Sequence, residues 1–231
     1  MLQCLSRSEL DLNPSLRDQM FEHRREEFHE RLGWNLRIDE HGREIDKYDG
    51  FDPLYVILTT KAGEHLASGR LLPTLGRTMI ADVFSDIVDT SEYADHRTWE
   101  VTRVFVAKRD PNSVMNAAAL MWGGCRVGMS AGVSSFVSIT PKFMIRVFGV
   151  CGWKGQVLQT GSDMHGGKIC ACRWPINHDV LAKLERRAGD TIDGWMPPSA
   201  QAIRSGISEV LAENVTLDRA TYRHSAVRNY R

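Results

Sequence analysis

Residues 99–106 read WEVTRVFV, a β-favouring run that carries the charged residues Glu100 and Arg103. The run predicts a buried strand. Burying a charge is costly, so each of the two requires a partner or a function. A regular strand would give two faces, with Glu100, Thr102, Val104 and Val106 on one and Trp99, Val101, Arg103 and Phe105 on the other. A β-bulge, which is common next to active sites, would bring both charges to one face.

Upstream of this strand the sequence predicts a helix and then a hairpin. The helix runs from Pro14 to Leu32, because Pro14 stands near its start and Gly33 follows its end. The hairpin strands are predicted at 54–60 and 65–74, with a short helix near 81–88.

Downstream of the strand, helices and strands alternate. A helix is predicted over 114–131 despite Gly123 and Gly124, which either weaken it or mark close packing. The remaining predicted elements are a strand at 132–140, a helix at 140–153 with Thr140 as N-cap and Pro141 at its first position, strands at 155–161 and 167–176, and a helix at 177–189. The alternation favours an α/β domain with a partly parallel sheet over residues 1–195, with 196–231 as a C-terminal helical extension packed on it or trailing from it.

Composition limits the class of protein. The 231 residues are 42% hydrophobic and 25% charged, which suffices for a globular core. Five cysteines, an odd number without a paired C-x-x-C spacing, argue against a disulfide framework and a structural metal site. The chain shows neither a secretory leader pattern nor 18 consecutive apolar residues, so we expect a cytoplasmic protein without membrane insertion.

Charge is unevenly distributed along the chain. Residues 1–138 hold 16 Lys+Arg against 21 Asp+Glu, and residues 139–231 hold 13 against 8. The C-terminal half can therefore present a basic surface to an acidic partner. The basic residues are dispersed rather than gathered in a dense stripe, so nucleic acid is not expected as a partner.

Several charged residues stand where a purely structural role is unexpected. Arg24 interrupts an aromatic stripe of the first helix, Asp46 and Asp49 flank Tyr48, and Arg70 lies inside a strand. The guanidinium groups suit a ligand carboxylate, while the carboxylates suit an amine. Aromatic faces at Phe28 and Trp34 suit a cation. A zwitterionic ligand with an additional positive centre would satisfy all of these groups.

This ordered set resembles the acyl-homoserine-lactone synthases, the autoinducer synthases of bacterial quorum sensing. The resemblance spans about residues 16–175 and rests on Arg24, Phe28, Trp34, D-x-Y-D at 46–49, G-R-L-L-P-T at 69–74, Phe84 and E-x-T-R at 100–103. It implies an α/β fold like that of the N-acetyltransferases, a mixed twisted sheet wrapped by helices in three αβα layers, with two strands splayed apart for the acyl donor. One departure from that wider superfamily is the segment after residue 106, which lacks the glycine-rich loop that usually holds the coenzyme A pyrophosphate.

The resemblance also implies a reaction. S-adenosyl-L-methionine, a substrate and not a cofactor, supplies the amine and the lactone carbons, an acyl thioester supplies the chain, and methylthioadenosine leaves. No metal is required. Catalytic roles are implied for Glu100 as base and for Arg70 and Arg103. The implied adenosylmethionine contacts are Arg24, Phe28, Trp34, Asp46, Asp49, Phe84, Arg103 and Phe105.

The acyl side of the site is less closely specified. The implied pocket residues are Met79, Phe105, Thr140 and Met144, and a threonine at position 140 accompanies 3-oxo products in the family. The same threonine could instead serve only as a helix cap. The donor is acyl carrier protein or acyl-coenzyme A, and basic contacts to it are expected at Lys142, Arg146, Lys154 and Lys168.

Three other interpretations remain open at this stage. The chain could be a generic acyl-coenzyme A-dependent N-acyltransferase that acts on another amine. It could also be a non-enzymatic protein that binds adenosylmethionine or an acyl chain. Finally, Arg24, Arg70, Asp46 and Asp49 could form a buried ion-pair network that only folds the N-terminus.

Overall fold

A seven-stranded sheet of order β1-β2-β3-β4-β5-β7-β6 organises the fold, which a computed structural model describes for residues 1–163 and 165–203. The strands are Leu2–Ser6 (β1), Leu54–Thr59 (β2), His65–Pro73 (β3), Thr98–Val106 (β4), Ser135–Pro141 (β5), Gln156–Ser162 (β6) and Lys168–Pro175 (β7). Neighbouring strands are antiparallel except β4 and β5, which are parallel. The sheet is therefore mixed, as the sequence predicts.

Helices cover both faces of the sheet. They are Arg7–Asp11 (α1), Pro14–Arg24 (α2), Met79–Val83 (α3), Ser113–Ser130 (α4), Lys142–Cys151 (α5) and His178–Ala188 (α6), with a π-helical turn at Arg25–Arg31 and 3₁₀ turns at Lys47–Gly50, Thr90–Glu92 and Gly189–Ile192. On β2, Leu54 and Val56 pack in the core with α4 and α6, whereas Tyr55 and Ile57 pack under α2. The period-2 alternation of β2 thus separates two cores, and the three-layer α/β prediction is confirmed. In the described part of the chain, no helix is long and apolar enough to cross a membrane.

The strand quoted at the outset contains a β-bulge. Ser68 of β3 pairs with Phe105, but Arg70 pairs with Thr102, so β4 holds one extra residue between these pairs. Arg103 has φ +52°, the left-handed conformation that a non-glycine residue rarely adopts. The β-bulge that could bring both charges to one face is therefore present, and regular alternation ends at Thr102. The apolar core receives Trp99, Val101, Val104 and Val106, whereas the opposite face carries Glu100, Thr102, Arg103 and Phe105.

Strands β4 and β5 separate after a short paired region. Only Thr98 to Glu100 pair with Ser135 to Val137, although β4 continues to Val106 and β5 to Pro141. Beyond Glu100, β4 has no partner in β5 for its backbone groups, and a gap opens between the two strands. This gap is the splay that the resemblance implies.

Three local expectations differ from the structure. The predicted helix at 14–32 becomes π-helical after Arg24, and the short strand β1 was not predicted. Thr140 is not a helix N-cap: it pairs with Cys170 inside the sheet, and α5 begins at Lys142 with Pro141 as its cap. Pairing with β7 keeps Thr140 extended, so its side chain is free for another purpose.

The predicted C-terminal extension begins by closing a sheet edge. The N–H of Cys4 donates to the carbonyl of Met196, and the N–H of Met196 donates to the carbonyl of Leu2, both at 3.0 Å. This contact covers the outer edge of β1, which would otherwise expose unpaired backbone groups. Residues 204–231 of the predicted extension lie outside the described residues.

Gly123 allows α4 to approach the sheet closely. A Cβ atom at this position would lie 2.8 Å from Cγ1 of Val56 and 3.3 Å from a methyl carbon of Leu2. Gly123→Ala should therefore destabilise the protein by about 1–3 kcal/mol through overpacking, although alanine favours helices. Gly149→Ala in α5 is the matched control, because a Cβ there meets nothing within 4 Å. Urea unfolding should show a stability loss for Gly123→Ala and a small gain for Gly149→Ala; equal behaviour of the two variants would contradict the packing account.

Candidate active site

A buried ion cluster joins the end of α2, residues 44–49 and strands β3 and β4. Its members are Arg24, Glu44, Asp46, Asp49, Arg70 and Arg103, and each side chain is at most 5% exposed. Three guanidinium groups thus meet three carboxylates in the interior. Buried charges persist in proteins when they are paired and hydrogen-bonded in this way.

Glu44 bridges two arginines that come from different elements. Arg24 Nε donates to Glu44 Oε2 at 2.6 Å, and Arg103 Nη2 donates to Oε1 at 2.9 Å. Burial by itself would raise the pKa of Glu44, but the positive charges of Arg24 and Arg103 outweigh this effect and lower it. Glu44 therefore stays ionised and holds the arginine of the β4 bulge against the end of α2.

The two aspartates of the D-x-Y-D motif complete the cluster. Arg24 donates to both oxygens of Asp49, from Nη1 at 2.9 Å and Nη2 at 3.0 Å. Arg70 Nη1 donates to Asp46 at 2.5 Å and to Asp49 at 2.8 Å, while its Nε donates to Thr102 at 3.1 Å. Burial opposes ionisation of Asp49, yet the flanking guanidinium groups of Arg24 and Arg70 hold its pKa below the usual range.

Every nitrogen of the Arg24 guanidinium is occupied by Glu44 or Asp49. Arg24, Arg70, Asp46 and Asp49 therefore form the internal ion-pair network that was one open interpretation of the sequence. Arg103 differs from them, because among the described residues its Nη1 donates only to the thioether sulfur of Met79, at 3.4 Å. A thioether is a weak acceptor, so a ligand carboxylate could replace it.

An aromatic cleft lies beside Arg103. Phe28 and Trp34 stack with ring centroids 5.2 Å apart, and the Arg103 guanidinium carbon lies 5.5 Å from the Phe28 centroid and 6.0 Å from that of Trp34. The π-helical turn and the chain that leaves it supply these rings, and π-helical turns are frequent at functional sites. The cleft combines aromatic faces with one cation that has hydrogen-bonding capacity to spare.

One cavity of about 130 Å³ extends from this cleft into the gap between β4 and β5. Phe28, Trp34, Met79 and Arg103 line one part. The walls of the other part come from β5, β7, α4, α5 and the chain that follows α5. They include Leu120, Met121, Phe136, Ser138, Thr140, Met144, Phe148, Trp153 and Trp174. The cavity thus joins a charged, aromatic end to a mainly apolar channel.

Glu100 lies behind the cavity wall. Its carboxylate accepts the backbone N–H groups of Met79 at 3.0 Å and Ile80 at 2.6 Å, and the side chain is fully buried. Burial raises the pKa of Glu100 to about 7, against the lowering effects of the Ile80 N–H and of Arg70. Among the described residues, Met79 and not Glu100 is part of the cavity wall. Contact between Glu100 and a ligand would therefore require an intervening water.

Comparison with known proteins identifies the family. The family model for autoinducer synthases matches residues 8–184 of the chain. The chain belongs to the autoinducer synthase family. An acyl-homoserine-lactone synthase of Rhizobium etli is 28% identical over 211 residues, which cover 89% of this chain and 99% of that protein.

Solved structures agree with the synthase fold. A coenzyme A-dependent acyl-homoserine-lactone synthase, solved with S-adenosylmethionine and isopentyl-coenzyme A, superposes with a TM-score of 0.76 at 22% identity, covering 90% of this chain and 99% of that one. An aminoglycoside 6′-acetyltransferase superposes with a TM-score of 0.53 at 14% identity, covering 77% and 97%. The fold of this synthase family member is therefore related to that of the N-acetyltransferases, as the resemblance implies.

The structure places some of the predicted site residues away from the cavity. Within residues 1–163 and 165–203, neither Phe84 nor Phe105 lines it. Phe84 packs against the cluster of Ile80, Val88 and Tyr93, and Phe105 stacks on His23 and His65 at 5.2 and 5.3 Å. Their proposed contacts with adenosylmethionine and the acyl chain consequently have no geometric support, whereas Met79, Thr140 and Met144 do line the cavity.

The predicted carrier contacts are on the surface. Lys142, Arg146, Lys154 and Lys168 are exposed. Lys142 and Arg146, four residues apart, share a face of α5 and alternate with the exposed apolar side chains of Phe143 and Val147. Phe143 also lines the cavity, so this face adjoins the acyl channel.

Sequence reasoning missed three residues of the site. Glu44 stands two positions before the D-x-Y-D motif. A further acidic residue so close to Asp46 was the sequence feature that could have indicated it. Ser138 and Trp174 are two strand residues whose polar atoms meet beside Thr140. No sequence pattern indicates that they meet, because the contact depends on the register of β5 with β7.

Proposed function

We propose that this autoinducer synthase family member is an acyl-homoserine-lactone synthase. It would transfer an acyl chain from a thioester to the amine of S-adenosyl-L-methionine and then close the lactone with release of methylthioadenosine. The observation that carries the proposal is one continuous cavity, which connects the Arg103 end to the apolar channel between β4 and β5. A two-substrate reaction needs such a shared space, in which the amine meets the thioester.

At the polar end, Arg103 would bind the adenosylmethionine carboxylate. Its Nη1 faces Met79, and its other nitrogens are fixed by Glu44, so the donor is preorganised. Phe28 and Trp34 would stack on the adenosyl group or the sulfonium. Arg24, Arg70, Asp46 and Asp49 would act indirectly in this scheme, by holding Arg103 and the surrounding chain in place.

In the first step the amine attacks the thioester carbonyl and must lose a proton. Glu100 is our candidate base, acting through a water because Met79 separates its carboxylate from the cavity. A group with a pKa of about 7 is well matched to this task at neutral pH. Backbone N–H groups of β4 beyond Glu100, where β5 no longer pairs, are candidate donors to the oxyanion.

In the second step the ligand carboxylate attacks its own γ-carbon, and the sulfonium leaves as the neutral thioether methylthioadenosine. One carbon–oxygen bond forms while one carbon–sulfur bond breaks, so no external reagent is needed. The cavity would contribute by holding the chain folded, since a correctly oriented intramolecular reaction is strongly accelerated.

Two acyl donors remain candidates. Acyl carrier protein is acidic and suits the face of α5 that carries Lys142, Arg146 and exposed apolar side chains. Acyl-coenzyme A is also anionic, and the structurally similar synthase is coenzyme A-dependent. The proposal places the reaction in the cytoplasm, which suits five cysteines that are buried and unpaired.

Product analysis tests the proposed function directly. The purified chain, given S-adenosylmethionine and a set of acyl-coenzyme A and acyl carrier protein donors, should release methylthioadenosine together with acyl-homoserine lactones. Mass spectrometry should detect the homoserine-lactone fragment. Acylation of other amines without this fragment would favour the generic N-acyltransferase, and binding without turnover of any donor would favour a non-enzymatic protein.

Glu100→Gln tests the base. The pH profile of kcat/KM should rise through about pH 7 as Glu100 ionises, and the variant should lose that limb together with at least 100-fold in turnover. Adenosylmethionine affinity should change much less, because Glu100 lies outside the cavity wall. Unchanged turnover at saturating substrates would remove Glu100 from the role of base.

Stability supplies the control for this substitution. Because the pKa of Glu100 is raised on folding, its contribution to stability is present below its ordinary pKa and is lost as the pH rises through about 7. The neutral glutamine has no such loss. The stability of Glu100→Gln relative to the wild type should therefore increase between pH 5 and pH 8, and urea unfolding at pH 8 checks that the variant is folded where its turnover is measured.

A further inference from the structure

Two hydroxyl groups lie together in the wall of the otherwise apolar channel. Ser138 and Thr140 point to the same face of β5, line the cavity and have their oxygens 2.6 Å apart. The indole N–H of Trp174, on β7, donates to the Ser138 oxygen at 2.9 Å. Ser138 is 6% exposed, Thr140 4% and Trp174 2%.

A count of protons shows that this group has a donor to spare. An indole N–H can only donate, so Ser138 must accept it. One hydroxyl proton can then lie between Ser138 and Thr140, which leaves the other hydroxyl proton unused. In the part of the chain that the structure describes, the two oxygens have hydrogen bonds only with each other and with Trp174.

Trp174 also favours one direction for the shared proton. Donation from the indole makes Ser138 a better donor in turn, since hydrogen bonds in a chain polarise one another. The Ser138 proton then points to Thr140, and the Thr140 proton points into the cavity. Buried polar groups seek partners, so an acceptor on the ligand would be favoured at this place.

The indole is held firmly in the required position. It packs edge-to-face against Phe148 at 5.1 Å and at a 61° tilt against Trp153 at 5.9 Å. Gly155 leaves room for it, because a Cβ atom there would lie 2.6 Å from the ring. Packing on three sides therefore fixes where the indole N–H donates.

The strands indicate where along the acyl chain the acceptor would lie. Glu100 and Val137 are the last paired residues of β4 and β5, and Arg103 and Thr140 each lie three positions further along. Both residues line the same cavity, and Arg103 is where the carboxylate of adenosylmethionine is proposed to bind. An acceptor that meets Thr140 would lie close to the thioester carbonyl rather than at the tail of the chain.

We propose that Trp174 and Ser138 are positioning residues that turn the Thr140 hydroxyl into a hydrogen-bond donor and thereby select acyl chains with an oxo group near the thioester. This inference rests on the proposed function. The role expected for Thr140 is thereby extended: Ser138 and Trp174 orient its hydroxyl, and this hydroxyl donates a hydrogen bond into the cavity. Neither Ser138 nor Trp174 would contact the oxo group in this arrangement.

Relative rates with paired donors test the inference. The substrates are 3-oxooctanoyl and octanoyl thioesters, each on coenzyme A and on acyl carrier protein, and the readout is the ratio of their kcat/KM values. The wild type should favour the 3-oxo donor. Ser138→Ala should lower this ratio about tenfold, because one oriented hydrogen bond is lost.

The tryptophan is tested by a matched pair. Trp174→Phe keeps an aromatic ring but removes the indole N–H, so it should lower the ratio as Ser138→Ala does. Trp153→Phe is the control, because Trp153 also lines the cavity but donates its N–H to the carbonyl of Pro175. It should keep the wild-type ratio. Ser138→Thr, which retains a hydroxyl, should restore the preference that alanine removes.

The possible outcomes separate this inference from the proposed function. A wild type that prefers the octanoyl donor overturns it, as does a folded Ser138→Ala variant that keeps the wild-type ratio. If Trp174→Phe does not fold, Ser138→Ala and its threonine rescue decide the matter. In all of these cases homoserine lactones are still produced, whereas failure of the proposed function would give no lactone from any donor.

Discussion

The site depends on one interaction: the buried carboxylate of Glu44 accepts hydrogen bonds from both Arg24 and Arg103. It links the end of α2 to the bulge of β4, and the same arginines connect it to Asp46 and Asp49. Removing one partner of such a buried network leaves uncompensated charge and typically costs about 3–5 kcal/mol. The network thus points one N–H donor of Arg103 towards the cavity. The stability of this arrangement depends on every member of the network.

One extra residue in β4 resolves the conflict between the two charges of this strand. The bulge at Arg103 brings Glu100, Thr102 and Arg103 to one face and returns Val104 to the apolar core. Loss of pairing with β5 beyond Glu100 then opens the channel next to the charged groups. A polar binding end and an apolar channel consequently meet at one short stretch of strand, which suits a reaction between a charged amine donor and an acyl chain.

Local signals at the ends of helices, such as Pro14 and Gly33, predicted most of the elements, because such signals act without distant contacts. The buried charges were also visible, since Arg70 and Arg103 interrupt apolar strands. What depends on distant contacts could not be predicted. The strand β1 is recognisable only through its pairing with β2, and Thr140 appeared to be a cap because its pairing with β7 is non-local. Glu44 looked like an ordinary loop residue until folding placed it between two arginines.

Calorimetry of S-adenosylmethionine binding to Glu44→Gln tests this account most directly, with thermal unfolding measured on the same sample. The control is Glu30→Gln, whose carboxylate is about half exposed and pairs with Arg25 on the surface at 2.8 Å. The account predicts a lower melting temperature for Glu44→Gln and an affinity for S-adenosylmethionine reduced at least tenfold, while Glu30→Gln matches the wild type. A Glu44→Gln protein with wild-type melting temperature and wild-type affinity would contradict it.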